Sequence, residues 1–497
     1  MALITPFKEN TMSFSLFLLL LTPLFLLFLI RKYFKSEKNL PPGPRPWPII
    51  GNLHQVGKNP HVTTAILAQE HGPLISLHLG TQILIVASSP EAAMGILKTQ
   101  DRFLSSRFVP NAFHCSYLPH TLIWSLDCNE NWKSLRRLCR TEMFSVNALE
   151  FQSSLREEKL AQMIDFLCSK NGQVVNIEEV VFTTMFNTLS NIIFGKDFLD
   201  LKDQRGTAGG LKEKLMKILE NGLAPNISDF FPILQRLDLQ GLRKQALKHM
   251  EEVYDSWVGI INERRSAATA YKEQCFLDCL IQNGFSNEQI NILALVIYYS
   301  QQVQTTTSTV EWAMAELIKN KDVMIKLQEE VKQKINSSSI AESEISKFPY
   351  LNACIKETLR LHPPAPLLLP HRAIQTSEVL NYTIPCGAEL LVNIWAIGRD
   401  PKLWEDPLSF KPERFLGSNL DFRGKDFEFI PFGAGRRMCP GLPSGITSVR
   451  SILASLILRF DWLLPDDQDQ AKLDMNEKFG VTLQKDKPLQ LILKHLN

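Results

Sequence analysis

A short glycine-rich segment near the carboxyl end of the chain carries a single cysteine. Residues 432–441 read Phe-Gly-Ala-Gly-Arg-Arg-Met-Cys-Pro-Gly, and the cysteine is Cys439. Gly435 and Gly441 let the backbone bend close to a flat ligand, and amides in such a bend can point at a sulfur and stabilise its negative charge. A thiolate held in this way is an axial ligand of haem iron, where it donates electron density that favours O–O bond cleavage.

Two arginines precede this cysteine. Arg436 and Arg437 add positive charge for the thiolate or for the carboxylates of a haem. The alternative interpretation is a glycine-rich turn with a buried structural cysteine, which would be the better one for a lone cysteine. The order of Phe, two Gly, Arg and Cys, with the partner motifs below, favours haem. We therefore predict haem b with Cys439 as its metal ligand and Phe432 as a further contact.

Composition narrows the class of protein. The 497 residues are 45% apolar and 21% charged, as is ordinary for a globular enzyme, and the net charge is +2. A nucleic-acid-binding protein would be expected to carry a strong basic excess, so we expect no nucleic-acid partner. The nine cysteines are scattered without a paired framework, which indicates reduced thiols in a cytosol-facing domain. Nothing after residue 50 reads as a linker, and one large domain is predicted.

The amino-terminal segment has the pattern of a membrane anchor. Residues 14–30 are almost wholly apolar, close to the lower length limit for a spanning helix, and basic residues follow at 31, 32, 35 and 38. A cleaved signal peptide is the alternative. The basic cluster after the apolar run favours an uncleaved single-pass anchor with that end in the cytosol. We predict an anchor and basic stop segment at 1–38, membrane lipid as a partner, and a catalytic domain at 39–497 behind a Pro-rich hinge at 41–48.

The rest of the pattern predicts a mainly α fold with small β-sheets. Residues 288–317 contain no Pro or Gly and predict one long, largely buried helix, with a break at the polar run of residues 319–322 and a helical pattern resuming to about residue 335. The other predicted elements are a β-hairpin at 75–79 and 82–87, a helix at 351–361 that His362-Pro363-Pro364 ends, and strands at 389–394 and near 481–483.

Four motifs in the right order make the chain resemble the cytochrome P-450 superfamily, in particular its microsomal plant members. They are residues 432–441, Lys356-Glu357-Thr358-Leu359-Arg360, Pro412-Glu413-Arg414-Phe415 and Trp132-Lys133-Ser134-Leu135-Arg136. The resemblance runs from the Pro-rich hinge to the C terminus. It implies the cytochrome P-450 fold and a monooxygenase that uses O2. It also implies electrons from NADPH through NADPH–cytochrome P-450 reductase, docked on a basic face near Arg436, at the endoplasmic reticulum membrane.

The resemblance also implies roles for individual side chains. Glu357 and Arg360 lie on one helix face and would join Arg414 in a buried network that braces the haem pocket. Arginine suits the haem carboxylates because its planar fork grips a carboxylate with two hydrogen bonds. For each arginine alone, a surface charge is the alternative. The predicted carboxylate contacts are Trp132, Arg136, Arg372 and Arg437.

The oxygen-activating helix departs from the family pattern. The matching stretch, residues 301–306, keeps the threonine as Thr305, but Gln304 replaces the usual acid and Gln302 replaces a small glycine. A glutamine cannot ionise, so Gln304 is no general acid. Two interpretations stay open: Gln304 holds a water chain that supports ordinary monooxygenation, or the chemistry is altered towards slow oxygen activation, radical coupling or rearrangement. Thr305 and Gln304 are the predicted catalytic residues.

Segments that supply substrate contacts in this fold are apolar and aromatic here, which favours a hydrophobic small molecule. Tyr298 and Tyr299 could hold an amine by cation–π contact, although plain packing is the alternative. The stretches around residues 429–441 and 478–484 look like the plant branch of alkaloid oxidases and monoterpenoid hydroxylases. We expect an alkaloid oxidase, with littorine rearrangement as a specific candidate. A monoterpenoid hydroxylase, a reductase-independent haem isomerase or lyase, and a non-catalytic haem protein are the alternatives. The predicted pocket residues are Phe108, Phe113, Tyr117, Leu367, Leu368 and Phe479.

Overall fold

Most of the chain folds into helices, with four small sheets at the periphery. The computed structural model describes residues 39–114, 121–202, 210–266, 275–299, 302–334, 342–465, 469–480 and 482–496, without the side chains of Tyr299, Gln302 and Ser343. The predicted mainly α fold with small β-sheets is confirmed.

The helices vary from single turns to seven turns. They are α1 Leu53–Val56, α2 Pro60–His71, α3 Pro90–Met94, α4 Asp101–Leu104, α5 Glu130–Met143, α6 Val146–Phe151, α7 Ser153–Cys168, α8 Ile177–Phe194, α9 Leu211–Leu223, α10 Ile227–Phe230, α11 Leu242–Ser266, α12 Phe276–Gln282, α13 Asn287–Tyr299, α14 Gln302–Lys319, α15 Lys321–Lys334, α16 Glu342–Ile345, α17 Pro349–Leu361, α18 Ile394–Ile397 and α19 Leu442–Arg459.

The strands are short. They are β1 Leu74–Leu79, β2 Gln82–Ala87, β3 Ser106–Arg107, β4 Val174–Asn176, β5 His371–Arg372, β6 Ser377–Val379, β7 Tyr382–Ile384, β8 Glu389–Val392, β9 Phe460–Leu463, β10 Glu477–Lys478, β11 Gln484–Lys485 and β12 Gln490–His495.

One sheet matters most for the site. Its strand order is β1-β2-β8-β5-β3, and it contains the predicted hairpin, in which Leu74 pairs with Ala87. β2 and β8 run parallel, while β5 pairs antiparallel with both β8 and β3. The other sheets are β4-β12-β9, β6-β7 and β10-β11. Strands that are far apart in sequence therefore meet beside the central helices.

Most predicted elements are confirmed, and one is wrong. The break after Lys319, the helix before His362 and the strand at β8 are present. α13 and α14 occupy the predicted long helix on either side of residues 300–301, which lie outside the described part. No strand forms at Thr482 and Leu483, because the Leu483 carbonyl accepts from Ser308 Oγ at 2.7 Å and its N–H donates to the Pro364 carbonyl at 2.8 Å. The strands β10 and β11 flank this turn instead.

Helix α14 is the buried axis of the molecule. It packs on α8, α17 and α19, and Val310, Trp312, Met314 and Leu317 are inaccessible to solvent. Hydroxyl side chains on a helix can satisfy themselves against the carbonyl four residues earlier. Thr307 donates to the Val303 carbonyl and Thr309 to the Thr305 carbonyl, at 2.8 and 2.7 Å. A run of hydroxyl residues thereby enters the core without unsatisfied groups.

The predicted brace of Glu357, Arg360 and Arg414 is present and buried. Arg360 donates to both Glu357 oxygens at 2.7 and 2.8 Å, and Arg414 Nε donates to Glu357 at 3.0 Å. The Lys411 N–H adds a fourth donor at 2.8 Å. Arg360 also donates to the carbonyls of Gly398 and Pro407. Because a buried charge pair stabilises only when its remaining groups are satisfied, this complete set locks α17 to the segment before the cysteine loop.

The predicted anchor at residues 1–38 lies outside the described part of the chain. Within residues 39–496, gaps apart, no helix has the length and apolar character needed to cross a bilayer.

Candidate haem site

A large cavity lies between α14 and the segment that carries Cys439. Its empty volume, with the opening to solvent included, is about 1470 Å³. Cys439 and Phe432 lie on one side, and Thr305, Thr306 and Thr309 line the α14 side. Its other wall residues include Leu97, Leu122, Ile123, Val296, Ile297, Ala365, Leu368, Leu369, Ile446 and Val449.

The cysteine segment is bent as the glycines predict. Gly435 has a φ of +69°, and a Cβ there would lie 1.9 Å from the Leu97 carbonyl oxygen, so no other residue fits. The Cys439 N–H donates to the Phe432 carbonyl at 3.0 Å. Burial raises the pKa of the Cys439 thiol, while the Gly441 N–H, the Arg136 charge and the Leu442 N–H act in the opposite direction. These groups favour the thiolate once a metal supplies positive charge.

Three arginines surround the cavity beside the cysteine segment. Arg437 Nε donates to the Ser105 carbonyl at 2.9 Å and Nη2 to the Ser125 carbonyl at 2.6 Å. Arg136 Nη2 donates to the Met438 carbonyl at 2.5 Å. Arg107 Nη1 donates to the Leu369 carbonyl at 3.0 Å. All three line the cavity.

None of these arginines forms an ion pair with a carboxylate in the described part of the chain. Burial lowers the pKa of all three, most strongly for Arg107, and the neighbouring arginines contribute to the effect on each. Buried cations of this kind require an anion. The carboxylates of a haem meet that requirement, and Cys439 supplies the ligand, so the residues present fit the predicted cofactor.

Arg107 is the site residue that sequence reasoning missed. It is 4% exposed and sits on β3, opposite His371 on β5. The signal was present in the sequence as an arginine directly before Phe108, a residue that we assigned to substrate contacts. Its role needs the pairing of β3 with a strand more than 260 residues later, which local pattern does not reveal.

The geometry gives no support to Arg372 as a carboxylate contact. Successive residues of a strand point to opposite faces, so on β5 His371 is buried and lines the cavity while Arg372 is exposed. His371 Nδ1 lies 2.9 Å from the Leu104 carbonyl. Burial and the charges of Arg107 and Arg437 lower the pKa of His371 well below its usual value. His371 is therefore the β5 residue that lies beside the arginines that would hold the haem carboxylates.

Trp132 takes a supporting position rather than a direct one. Asn129 caps α5 by accepting the Trp132 N–H at 2.9 Å, which sets the start of the helix. The indole Nε1 donates to the Leu122 carbonyl at 2.9 Å. The guanidinium groups of Arg136 and Arg437 lie 5.1 and 4.8 Å from the Trp132 ring centroid. The ring thus aligns two arginines by cation–π contact.

The two predicted catalytic residues of α14 face different surroundings. Thr305 lines the cavity. Gln304 is 5% exposed and directs its Nε2 to Met216 Sδ on α9, at 2.8 Å, and it is not among the cavity residues. The side chain of Gln302 lies outside the described atoms. Gln304, the neutral residue at the position where the family has an acid, therefore points towards α9 and not into the cavity.

Of the predicted substrate contacts, some line the cavity and others do not. Leu368 lines the cavity, at a φ of +53°, but Phe108, Phe113, Leu367, Phe479 and Tyr298 do not. Phe113 packs against Trp124, and Phe479 stacks on His61. Tyr298 donates its hydroxyl to Ser190 at 2.8 Å, which identifies it as core packing. Tyr117, Val481 and the Tyr299 side chain lie outside the described part.

Known proteins agree with this geometry. Residues 41–493 match the family model described as Cytochrome P450. The chain is 48% identical to the Coptis japonica protein "Probable (S)-N-methylcoclaurine 3'-hydroxylase isozyme 2", over 95% of this chain and 96% of that protein. It is 44% identical to Corytuberine synthase of the same plant, over 95% and 96%. It is 42% identical to Geraniol 8-hydroxylase of Catharanthus roseus, over 95% and 98%.

The chain therefore belongs to the cytochrome P450 family and is a haem-thiolate monooxygenase of the plant alkaloid and monoterpenoid branch. Haem bound at this site would supply oxygen activation. Cys439 would be the iron ligand, Arg107, Arg136 and Arg437 would hold the carboxylates, and the apolar wall would exclude water. Thr305 presents a hydroxyl on the opposite side of the cavity, which can orient a proton donor.

The arginine assignment predicts opposite results for two substitutions. Arg107→Gln removes a buried charge beside the haem carboxylates and should weaken haem binding by about 1.5–3 kcal/mol, the usual value of a charged hydrogen bond. Arg372→Gln should leave haem binding unchanged. Haem retained per protein after gel filtration, with thermal unfolding as a folding check, measures both. Equal loss in the two variants would show that Arg372 belongs to the site after all.

The orientation of the α14 side chains makes a second prediction. Thr305→Ala should lower the fraction of NADPH electrons found in product by roughly tenfold or more, because a proton-positioning group at the cavity is lost. Gln304→Ala should change that fraction by less than about twofold, since this side chain contacts α9 instead. Product and hydrogen peroxide per NADPH measure the effect. A tenfold loss for Gln304→Ala would place that side chain in the reaction.

Proposed function

We propose that this enzyme oxidises a hydrophobic plant alkaloid, with a benzylisoquinoline of the (S)-N-methylcoclaurine type as the first candidate substrate. The observation that carries the proposal is the 48% identity, over 95% of the chain, to the Coptis japonica protein named for (S)-N-methylcoclaurine 3'-hydroxylation. The cavity supports it. Its walls are apolar, and no aspartate or glutamate lines it among the described residues, which suits an aromatic ring placed near the iron.

A rearrangement of littorine type is the second candidate. The observation that favours it is the replacement of the usual acid by Gln304, with Gln302 in place of the small glycine. A weakened proton supply alters oxygen activation, the step on which ordinary monooxygenation depends. Monoterpenoid hydroxylation is the third candidate, on the 42% identity to Geraniol 8-hydroxylase. A reductase-independent isomerase or lyase would also use the Cys439 site.

The electron donor in this proposal is NADPH–cytochrome P-450 reductase. Its docking surface would be the face of α5 that carries Lys133, Arg137 and Arg140, which are exposed and recur at helical spacing. Arg436 is partly exposed beside this face, although its Nε pairs with Asp101 at 3.1 Å. Positive charge here steers an acidic partner to the side of the molecule on which Cys439 lies.

The location in this proposal is the endoplasmic reticulum membrane, with the catalytic domain in the cytosol. Two exposed apolar segments meet at the β1–β2 turn and support a lipid-facing surface. The backbone carbonyl of Ile50 accepts the Gly80 N–H at 3.2 Å, and the backbone carbonyl of Phe230 accepts the Thr81 N–H at 2.9 Å. The exposed side chains around these contacts are Trp47, Ile49, Ile233, Leu237 and Leu239.

The lipid-facing surface predicts a measurable binding defect. In a variant that lacks the predicted anchor at residues 1–38, Trp47→Asp with Ile233→Asp should lower flotation with phospholipid vesicles, because two charges enter the apolar face. Leu408→Asp, an exposed apolar residue elsewhere, is the matched control. Equal flotation of all three proteins would contradict a lipid contact at this surface.

The substrate proposal is tested with microsomes that contain the full chain, with and without the reductase. (S)-N-methylcoclaurine, littorine and geraniol are supplied in parallel with NADPH, and products are identified by mass spectrometry. We expect a singly oxygenated product from (S)-N-methylcoclaurine that requires both NADPH and reductase. A product from littorine alone would support the second candidate. Product without NADPH, when a hydroperoxide substrate is supplied, would replace the monooxygenase proposal by the isomerase or lyase.

A further inference from the structure

The last turn of α9 contains a glycine that lies directly against an aromatic ring. A Cβ built on Gly222 would be 1.8 Å from Phe113 Cζ and 2.3 and 2.5 Å from the two Cε atoms. The backbone of Gly222 is helical, so a left-handed φ is not the reason for this glycine. Because glycine inside a helix is less stable than alanine, a packing reason is expected. Gly222 lets α9 approach the Phe113 ring.

The same ring also contacts a segment that forms part of the cavity wall. Phe113 packs on Trp124, with ring centroids 5.3 Å apart. Trp124 follows Ile123, which lines the cavity and whose carbonyl accepts Arg107 Nε at 3.1 Å. Phe113 and Trp124 are 4% and 8% exposed, so neither ring can move without displacing its neighbours in a close-packed interior. A displacement of the Phe113 ring is therefore passed on to the wall.

The backbone that carries Phe113 is held in place by other elements. The Asn111 N–H donates to Asp229 Oδ1 at 2.6 Å, and Asn111 Nδ2 donates to the Gln235 carbonyl at 3.3 Å. The short turn that ends at Phe113 also packs on α9 and α11, and these two helices pack along each other. The far end of the Phe113 side chain is therefore the part that must move when a larger residue replaces Gly222.

We propose that Gly222 determines the size of ligand that the cavity accepts, because it leaves room for the Phe113 ring outside the cavity. Phe113 is buried but is not among the cavity residues. A methyl group on residue 222 would displace the ring from α9 towards Trp124, and Trp124 would press Ile123 into the cavity. A bulky ligand would lose space first, since a small ligand leaves space at the wall. Gly222 is thus a specificity-determining residue that lies outside the cavity.

The test uses haem-loaded full-length protein and two azoles that bind haem iron, imidazole and the bulky triaryl compound clotrimazole. Their dissociation constants are measured by difference spectroscopy. Gly222→Ala should weaken clotrimazole binding by roughly tenfold or more, the effect of a strain within the usual range for overpacking, and should leave imidazole binding unchanged.

Three further variants complete the design. Gly259→Ala is the matched control, because Gly259 lies in helix α11 and, outside its own helix, no atom of the described residues is within 4 Å of the Cβ that alanine would add. It should bind both azoles as the wild type does. Leucine lacks the Cζ and Cε atoms that the new methyl group would meet, so Gly222→Ala with Phe113→Leu should bind clotrimazole as tightly as Phe113→Leu alone. Phe113→Trp enlarges the ring while Gly222 is kept, and it should reproduce the selective loss of clotrimazole binding.

Equal weakening of both azoles in Gly222→Ala would indicate a general structural role and would overturn the proposal. A loss of clotrimazole binding that Phe113→Leu does not relieve would also overturn it. If Gly222→Ala fails to fold, wild-type clotrimazole binding by Phe113→Trp would be the contradicting result. The inference rests on the proposed function only for the identity of the bulky substrate. Azole binding needs no substrate, so failure of the substrate panel and failure of the size control are separate results.

Discussion

The bent loop that carries Cys439 is the constraint on which the rest of the cavity depends. The backbone of Gly435 lies against the Leu97 carbonyl oxygen, where a Cβ would be 1.9 Å away, so this contact fixes the loop against the segment around Leu97. From that position Arg437 reaches three carbonyls around Trp132, and Arg136 reaches the carbonyl of Met438. The thiol and the cationic groups are thereby brought to one side of the same space before any ligand arrives.

The opposite side of the cavity is held in place by hydrogen bonds from residues that are distant in sequence. The wall at residues 364–369 has no regular secondary structure, and its carbonyls are satisfied by distant donors, among them Arg107, Trp395 and Leu483. Leu368 takes a left-handed φ of +53° within it, a conformation that costs about 1 kcal/mol or more and persists only when the surroundings impose it. The proximal side is thus specified by short-range glycine geometry, whereas the distal wall depends on long-range hydrogen bonds.

This difference explains how much of the molecule could be predicted from its sequence. The Cys439 loop and the Glu357–Arg360 pair follow from local spacing, whereas Arg414 as their partner was implied by the family resemblance. All of these are present as expected. The assignment to Arg372 failed geometrically because one residue of register on a strand reverses which side chain faces the cavity. Arg107 and His371 become neighbours only through the pairing of β3 with β5. Gln304 could be recognised as a departure, but its contact with Met216 depends on how α9 crosses α14, which no local pattern encodes.

The buried arginines and Cys439 form one haem-thiolate site in which they have separate roles. Cys439 would bind the iron, and the arginines would hold the haem carboxylates. The ferrous–CO spectrum of Cys439→Ser, compared with its total haem content, tests this division of roles most directly. If the arginines hold the carboxylates independently of the sulfur, the variant keeps most of its haem but loses the absorption band of a thiolate-ligated CO complex. A thiolate band that persists in Cys439→Ser would show that another cysteine is the ligand and would contradict the account.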